Sequence, residues 1–398
     1  FMIQLSDRLL AMEESATIAM SRKSRELKSQ GKDVISLSLG EPDFNTPDFI
    51  KSAANEAMVN NFTKYMPVPG YEDLRESISN KFKRDNQLDY SKDQIVVSTG
   101  AKQSIANVVM TLINPGDEVI IPAPYWVSYI EIVKVSGGVP VLVNAGIERD
   151  FKINGEDLSK AITPKTKLMI FSTPCNPTGS VYSKEELKDL AEVLKNHPNV
   201  VALCDEIYEH INFEGKHESL AQFKDIYNQV VTVNGVSKAW AMTGWRLGYI
   251  GAPKEIADAC SKVQGQFTSG TCSISQKAAI AAMNADPIIL KEMISAFRNR
   301  RSLVLDCLND IPGIKTNNPG GAFYVFPDCS YYFGKSDGNT TIKNANDLCM
   351  YLLEECLVAV VSGDAFGDPN CFRISYAASE ETLREAMRRI KEALIKLN

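Results

Sequence analysis

The chain has 398 residues, 44% apolar and 23% charged, with 43 basic against 49 acidic side chains and a formal net charge of −6. That length can bury a large core and suggests about two lobes. The negative charge and scattered lysines argue against nucleic acid, and no apolar run reaches the ~18 residues a membrane span needs.

The opening stretch FMIQLSDRLLAMEES carries an early acid and no apolar signal core, so no secretion signal is expected. Phe1 ahead of Met2 reads as an artificial addition. Residues 1–45 precede the first sheet strand and are expected to pack on the C-terminal lobe. From about residue 94 to 251, apolar β-branched runs alternate with helical patterns: QIVVS (94–98), EVIIP (118–122), VPVLV (139–143), KLMIFS (167–172), VVALC (200–204), VVTVN (230–234) and RLGYIG (246–251). Continuous apolar runs predict strands covered on both faces, hence an α/β lobe with a mainly parallel sheet over residues 46–290. SKEELKDLAEVLKNH predicts a helix behind a Ser183 cap. Residues 291–398 read as a smaller α+β lobe: a charged helix within 289–310, short strands in GAFYVFP, LVAVVSG and CFRISYA, and a closing amphipathic helix. Nine cysteines stand singly from Cys175 to Cys371, as reduced cytoplasmic thiols do. His197, His210 and His217 are the only histidines and there is no CxxC pair, so no metal site is expected.

In an open parallel sheet, ligands bind beyond the carboxyl ends of the strands. There the sequence places Gly100 in a turn before a helix start (TGAKQ), Asn176 in TPCNPTG, Asp205 and Tyr208 in DEIYEH, and Ser237 and Lys238 in GVSKAW, with Arg246 eight residues on. Each has a plain alternative: a connection, a turn, a helix cap, a core phenol, a solvated lysine. Together they suit pyridoxal 5′-phosphate. A lysine bonds the aldehyde, a buried acid keeps the ring nitrogen protonated, and an arginine and a helix N-terminus take the phosphate.

At these residues the sequence resembles the class I/II aminotransferases of fold type I, and most of all the branch of bacterial aspartate aminotransferases of the thermophile type. The likeness also runs through SLSLGEPDFNTP (36–47), TKYMPVPG (63–70), PYWVSY (124–129), SKAWAMTGWRLGY (237–249) and FRISYA (372–377). The resemblance implies Lys238 as Schiff-base lysine and proton shuttle, Asp205 on the ring nitrogen, and Tyr208 and Asn176 on the ring oxygen. Trp126 would stack on the ring. Gly100, Ala101, Lys102, Ser237 and Arg246 would hold the phosphate, joined by Tyr65 from a neighbouring subunit, which implies a homodimer. Arg373 would clamp the substrate α-carboxylate, with Asn176, Gly40 and Trp126 alongside. Lys102, Ser15 and Thr17 match the positions that hold the second carboxylate in that branch. Glu13 and Glu14 stand where relatives often have a basic residue and a proline, which puts prephenate and a strict aspartate preference in question. The implied reaction is L-aspartate:2-oxoglutarate transamination by a ping-pong route. The alternatives are an aminotransferase for aromatic or other neutral amino acids and, remotely, a non-catalytic binder of the same cofactor. A nicotinamide enzyme is disfavoured because no GxGxxG follows the first strand.

Overall fold

The computed structural model describes residues 3–398; Phe1 and Met2, which open the expected N-terminal segment, lie outside them. Seven strands, β1 (Ile95–Ser98), β2 (Glu118–Ala123), β3 (Val139–Asn144), β4 (Thr166–Ser172), β5 (Val201–Asp205), β6 (Val230–Gly235) and β7 (Gly248–Gly251), form one sheet ordered β1-β7-β6-β5-β4-β2-β3. β7 is antiparallel to both neighbours, and every other pairing is parallel.

The apolar runs behave as strands buried on two sides. On β4, Leu168 and Ile170 enter one apolar cluster, while Met169 and Phe171 enter the cluster on the opposite face. On β5, Leu203 faces the first cluster, and Ala202 and Cys204 face the second. Helix Ala101–Leu112 packs with Lys254–Phe267, and Asp48–Val59 packs with Ser273–Asn284. The run at 139–143 departs from two-sided burial. β3 is a sheet edge, so Val139 and Leu142 stay exposed. The helix after Ser183 spans Lys184–Lys195 and carries a full capping box with Glu186.

Toward the C-terminus, helix Lys291–Asn309 packs on helix Glu380–Ile395. The latter buries Leu383, Ala386, Met387, Ile390 and Leu394, one stripe at helical spacing. The charged helix begins two residues later than the sequence pattern predicts, because Asp286 accepts from the Ile288 N–H and Pro287–Leu290 takes a 3-10 turn. Strand Phe372–Ser375 lies between Val361–Ser362 and Tyr324–Val325. Near the N-terminus, Ile35–Ser36 pairs in parallel with Val358–Ala359.

Candidate active site

The carboxyl ends of β4, β5 and β6 open into a cavity of about 330 Å³. β5 ends on Asp205, which is buried and paired in register with Ser172 of β4 and Val233 of β6. The chain then makes turns: the Glu209 N–H donates to the Glu206 carbonyl, and Ile211 N–H to that of Tyr208. Through these turns Asp205 and Tyr208 face the cavity. Glu206 and Glu209 face backwards into buried polar partners. The Ser219 hydroxyl donates to Glu206 at 2.7 Å, and Lys81 pairs with Glu209. Glu206, Glu209 and His217 bring ligand atoms within 4.8 Å of one another, but these carboxylates are already satisfied by Ser219, Lys81 and Asn86.

Asp205 is a carboxyl held in a dry place. Burial raises its pKa to about 6, offset in part by the Tyr129 hydroxyl, which donates to Oδ2 at 2.8 Å. Lys238 follows β6 and stands 5.7 Å from the Tyr208 ring centroid. Its ammonium donates to the Gly40 carbonyl at 2.6 Å. Burial, then the Arg373 cation, lowers its pKa to about 8. Among the described residues, neither group has an ion-pair partner within 4 Å. Arg373 is buried at 2% exposure, donates to Asn176 Oδ1 at 2.9 Å and to the Ser38 carbonyl at 2.5 Å, and leaves its Nε–H without an acceptor. A buried guanidinium with spare donors facing a cavity is a carboxylate site by its chemistry.

An anion cradle lies at the start of helix Ala101–Leu112. Gly100 caps it at φ +85°, where a side chain is strained, and a Cβ there would overlap the Arg246 guanidinium. Among the described residues, the Arg246 side chain donates only to the Thr243 carbonyl. Ser237, Ala101 and Lys102 line the same cavity as Arg246. The Lys102 ammonium stands 5.0 Å from the Trp126 ring centroid, and its pKa is lowered by loss of water and then by Arg246.

Of the residues singled out from the sequence, Lys238, Asp205, Tyr208, Asn176, Trp126, Ala101, Lys102, Ser237, Arg246, Arg373, Gly40, Ser15 and Thr17 all line this one cavity, with Gly100 directly against Arg246. Tyr65 does not; it is 97% exposed on its own chain. Glu13 and Glu14 stay outside the cavity: the Glu13 N–H donates to Glu131 and the Glu14 carboxylate pairs with Arg22 at 2.5 Å. Two buried phenols were missed. Tyr129 had a signal, since it lies one helical turn beyond Trp126 and the two rings meet edge to face at 5.4 Å. Tyr324 had none, because its hydroxyl reaches Tyr208 across 116 residues of chain.

Residues 32–390 match the family model for aminotransferase class I and II. The chain is 49% identical over 392 residues to a probable aspartate/prephenate aminotransferase of Rickettsia bellii, covering 98% of each. It is 46% identical to a bifunctional aspartate aminotransferase and glutamate/aspartate-prephenate aminotransferase of Petunia hybrida, covering 99% of this chain and 83% of that protein. Among solved structures, an aspartate aminotransferase of Rhizobium meliloti superposes with a TM-score of 0.96 at 44% identity over all of both chains. The Thermus thermophilus aspartate aminotransferase with maleate superposes at 0.93, with 41% identity over 99% of this chain and 100% of that one.

Proposed function

Because the chain belongs to the class I and II aminotransferases, we propose that it exchanges the amino group of L-aspartate with 2-oxoglutarate by a ping-pong route. It is a pyridoxal 5′-phosphate-dependent enzyme acting on amino and 2-oxo acids. The residues present fit that cofactor. The cradle of Gly100, Ala101, Ser237 and Arg246 suits a phosphate, Asp205 suits a ring nitrogen, and the Lys238 amine suits an aldehyde. Bound there, the cofactor supplies an electron sink for the pair left behind when the substrate Cα–H bond breaks.

The protein's own groups divide the remaining work. Lys238 Nζ takes the proton from Cα and returns it on the cofactor side, a task for an amine whose pKa lies near the working pH. Asp205 keeps the ring nitrogen protonated, and Tyr208 and Asn176 hold the ring oxygen. Trp126 covers the ring face. Arg373 takes the α-carboxylate in a bidentate grip and so fixes the Cα–H direction. Lys102, with the hydroxyls of Ser15 and Thr17, takes the second carboxylate.

The observation that carries the aspartate reading is Lys102, a cation inside the cavity with no carboxylate partner within 4 Å among the described residues. A second reading, neutral or aromatic amino acids, is favoured by Ile18 and Leu39, exposed apolar side chains on the same cavity wall. Initial rates across a panel decide between them. L-Aspartate should outpace L-phenylalanine and L-alanine. Lys102→Ala should lower kcat/KM for aspartate about tenfold to a hundredfold, the worth of a charged hydrogen bond, while hardly changing L-alanine. Equal losses on both would remove Lys102 from its role.

We also propose two lobes, a large cofactor-binding lobe of 46–290 and a small C-terminal lobe of 291–398, with the N-terminal segment 1–45 packing on the small one. The pairing of Ile35–Ser36 with Val358–Ala359 supports it. A cytoplasmic location is supported by nine free cysteines, five of them buried. A homodimer with shared sites is supported by Tyr65, which projects fully exposed beside exposed Met58 and Val59. Sedimentation should give twice the 43.9 kDa chain mass; a fully active monomer would refute it.

A further inference from the structure

Tyr324 is fully buried on the strand Tyr324–Val325, yet it is one of the residues lining the cavity. That hydroxyl lies 2.7 Å from the Tyr208 hydroxyl, and the two rings meet edge to face at 5.8 Å. Two phenols sharing one hydrogen bond use one proton and have a second to give. Both residues line the cavity, so a ligand there is within reach of the second proton. The Arg373 guanidinium lies 4.6 Å from the Tyr324 ring centroid. Burial raises the pKa of both phenols, and this cation opposes the rise at both. Either hydroxyl can donate in this pair; with the Tyr208 proton given to a ligand oxygen in the cavity, the shared bond takes the Tyr324 proton. Gly40 completes the arrangement: any Cβ at that position would overlap the Tyr324 hydroxyl. Its φ is ordinary, so the missing side chain makes room for the phenol and is not there for backbone freedom.

We propose that Tyr324 is a positioning residue that acts through Tyr208, donating to the Tyr208 oxygen so that the Tyr208 proton is aimed at, and strengthened toward, the ring oxygen of the cofactor. The inference rests on Tyr208 being that oxygen's donor. A bond received from a second phenol polarises the O–H of the first. A stronger donor withdraws charge from the ring oxygen and eases proton loss from the nitrogen beside it.

The test uses cofactor-loaded wild type, Tyr208→Phe, Tyr324→Phe and the double variant, all with Asp205, Lys238 and Arg373 intact. Two readouts are taken: the pH midpoint of the cofactor's near-visible absorbance, and cofactor affinity for the cofactor-free protein. Tyr208→Phe should move the midpoint to higher pH. Tyr324→Phe should move it the same way by less and weaken affinity about fivefold, the worth of one hydrogen bond. The double variant should lie where Tyr208→Phe alone lies. A Tyr324→Phe shift that persists undiminished in the Tyr208→Phe background would overturn the inference, since the phenol would then act independently. So would no shift from Tyr324→Phe beside a clear one from Tyr208→Phe. No shift from Tyr208→Phe itself would overturn the reading of Tyr208 and the inference with it. Phe keeps the ring packing, and matching melting curves confirm that each variant is folded.

Discussion

Lys238→Ala should lower single-turnover consumption of L-aspartate by about 10⁴-fold, the upper end of what a positioned acid–base group contributes. The expectation follows from where the amine sits. Its one hydrogen bond goes to the Gly40 carbonyl, and its ring neighbour is Tyr208. Burial and the Arg373 cation bring its pKa down to about 8 from an ordinary lysine value. The sign follows directly: a depressed pKa means the neutral, basic form is already populated near neutrality and grows as pH rises through about 8. Competitive labelling of the cofactor-free protein with an amine-specific reagent should therefore give Lys238 half its limiting reactivity near that pH, far below the surface lysines. Lys238→Arg should be as inactive as the alanine variant, because it restores charge without a titrating amine. Small primary amines added to Lys238→Ala should recover part of the rate. Activity within tenfold of wild type in either variant would take proton transfer away from this residue.

The strands that carry the site were legible because continuous β-branched runs have few other uses in a chain this long. The rim residues were legible because the first polar residues beyond such strands fall at the carboxyl edge of the sheet: Asp205, Asn176 and Lys238 each follow an apolar run within a few positions. What the pattern could not carry is contact between distant segments. The steric reason for Gly40 appears only when Tyr324 arrives from a strand almost three hundred residues away. Edge position is equally silent: 139–143 reads like its neighbours, and the exposure of Val139 and Leu142 is decided by sheet order. The turn after Asp205 reads as helical because its polar spacing mimics one. Its conformation is set instead by buried polar partners on elements far away in sequence, the Lys81 cation and the Asn86 amide among them.

That back-facing network yields the largest expected effect on stability. Lys81 is 2% exposed, pairs with Glu209, and donates to Asn86 Oδ1 at 2.8 Å; Asn86 in turn donates to Glu209 at 2.7 Å. Burial pushes the Glu209 carboxyl up, but the Lys81 cation and then the histidines outweigh it and hold it well below the carboxylate range. Lys81→Met removes the counter-charge and leaves a carboxylate in a dry site. Breaking such a pair from one side costs about 3–5 kcal/mol, which chemical denaturation should read as a fall in midpoint at unchanged slope. The pH dependence has a definite sign. In the wild type a depressed Glu209 pKa gives stability that is present above the unfolded value and lost as acid approaches the folded one. In Lys81→Met the largest opposing charge is gone and only the histidines and the Asn86 amide still work against burial, so the pKa moves up and the variant gains on the wild type as pH falls and Glu209 protonates. Lys81→Met with Glu209→Gln should recover most of the loss at neutral pH, since neither charge is then stranded. The same turn carries Asp205 and Tyr208 on its other face, so cofactor release should quicken in the single variant and slow again in the double one. A Lys81→Met protein as stable as wild type at neutral pH, with no dependence on acid, would mean the turn is held by its apolar side alone.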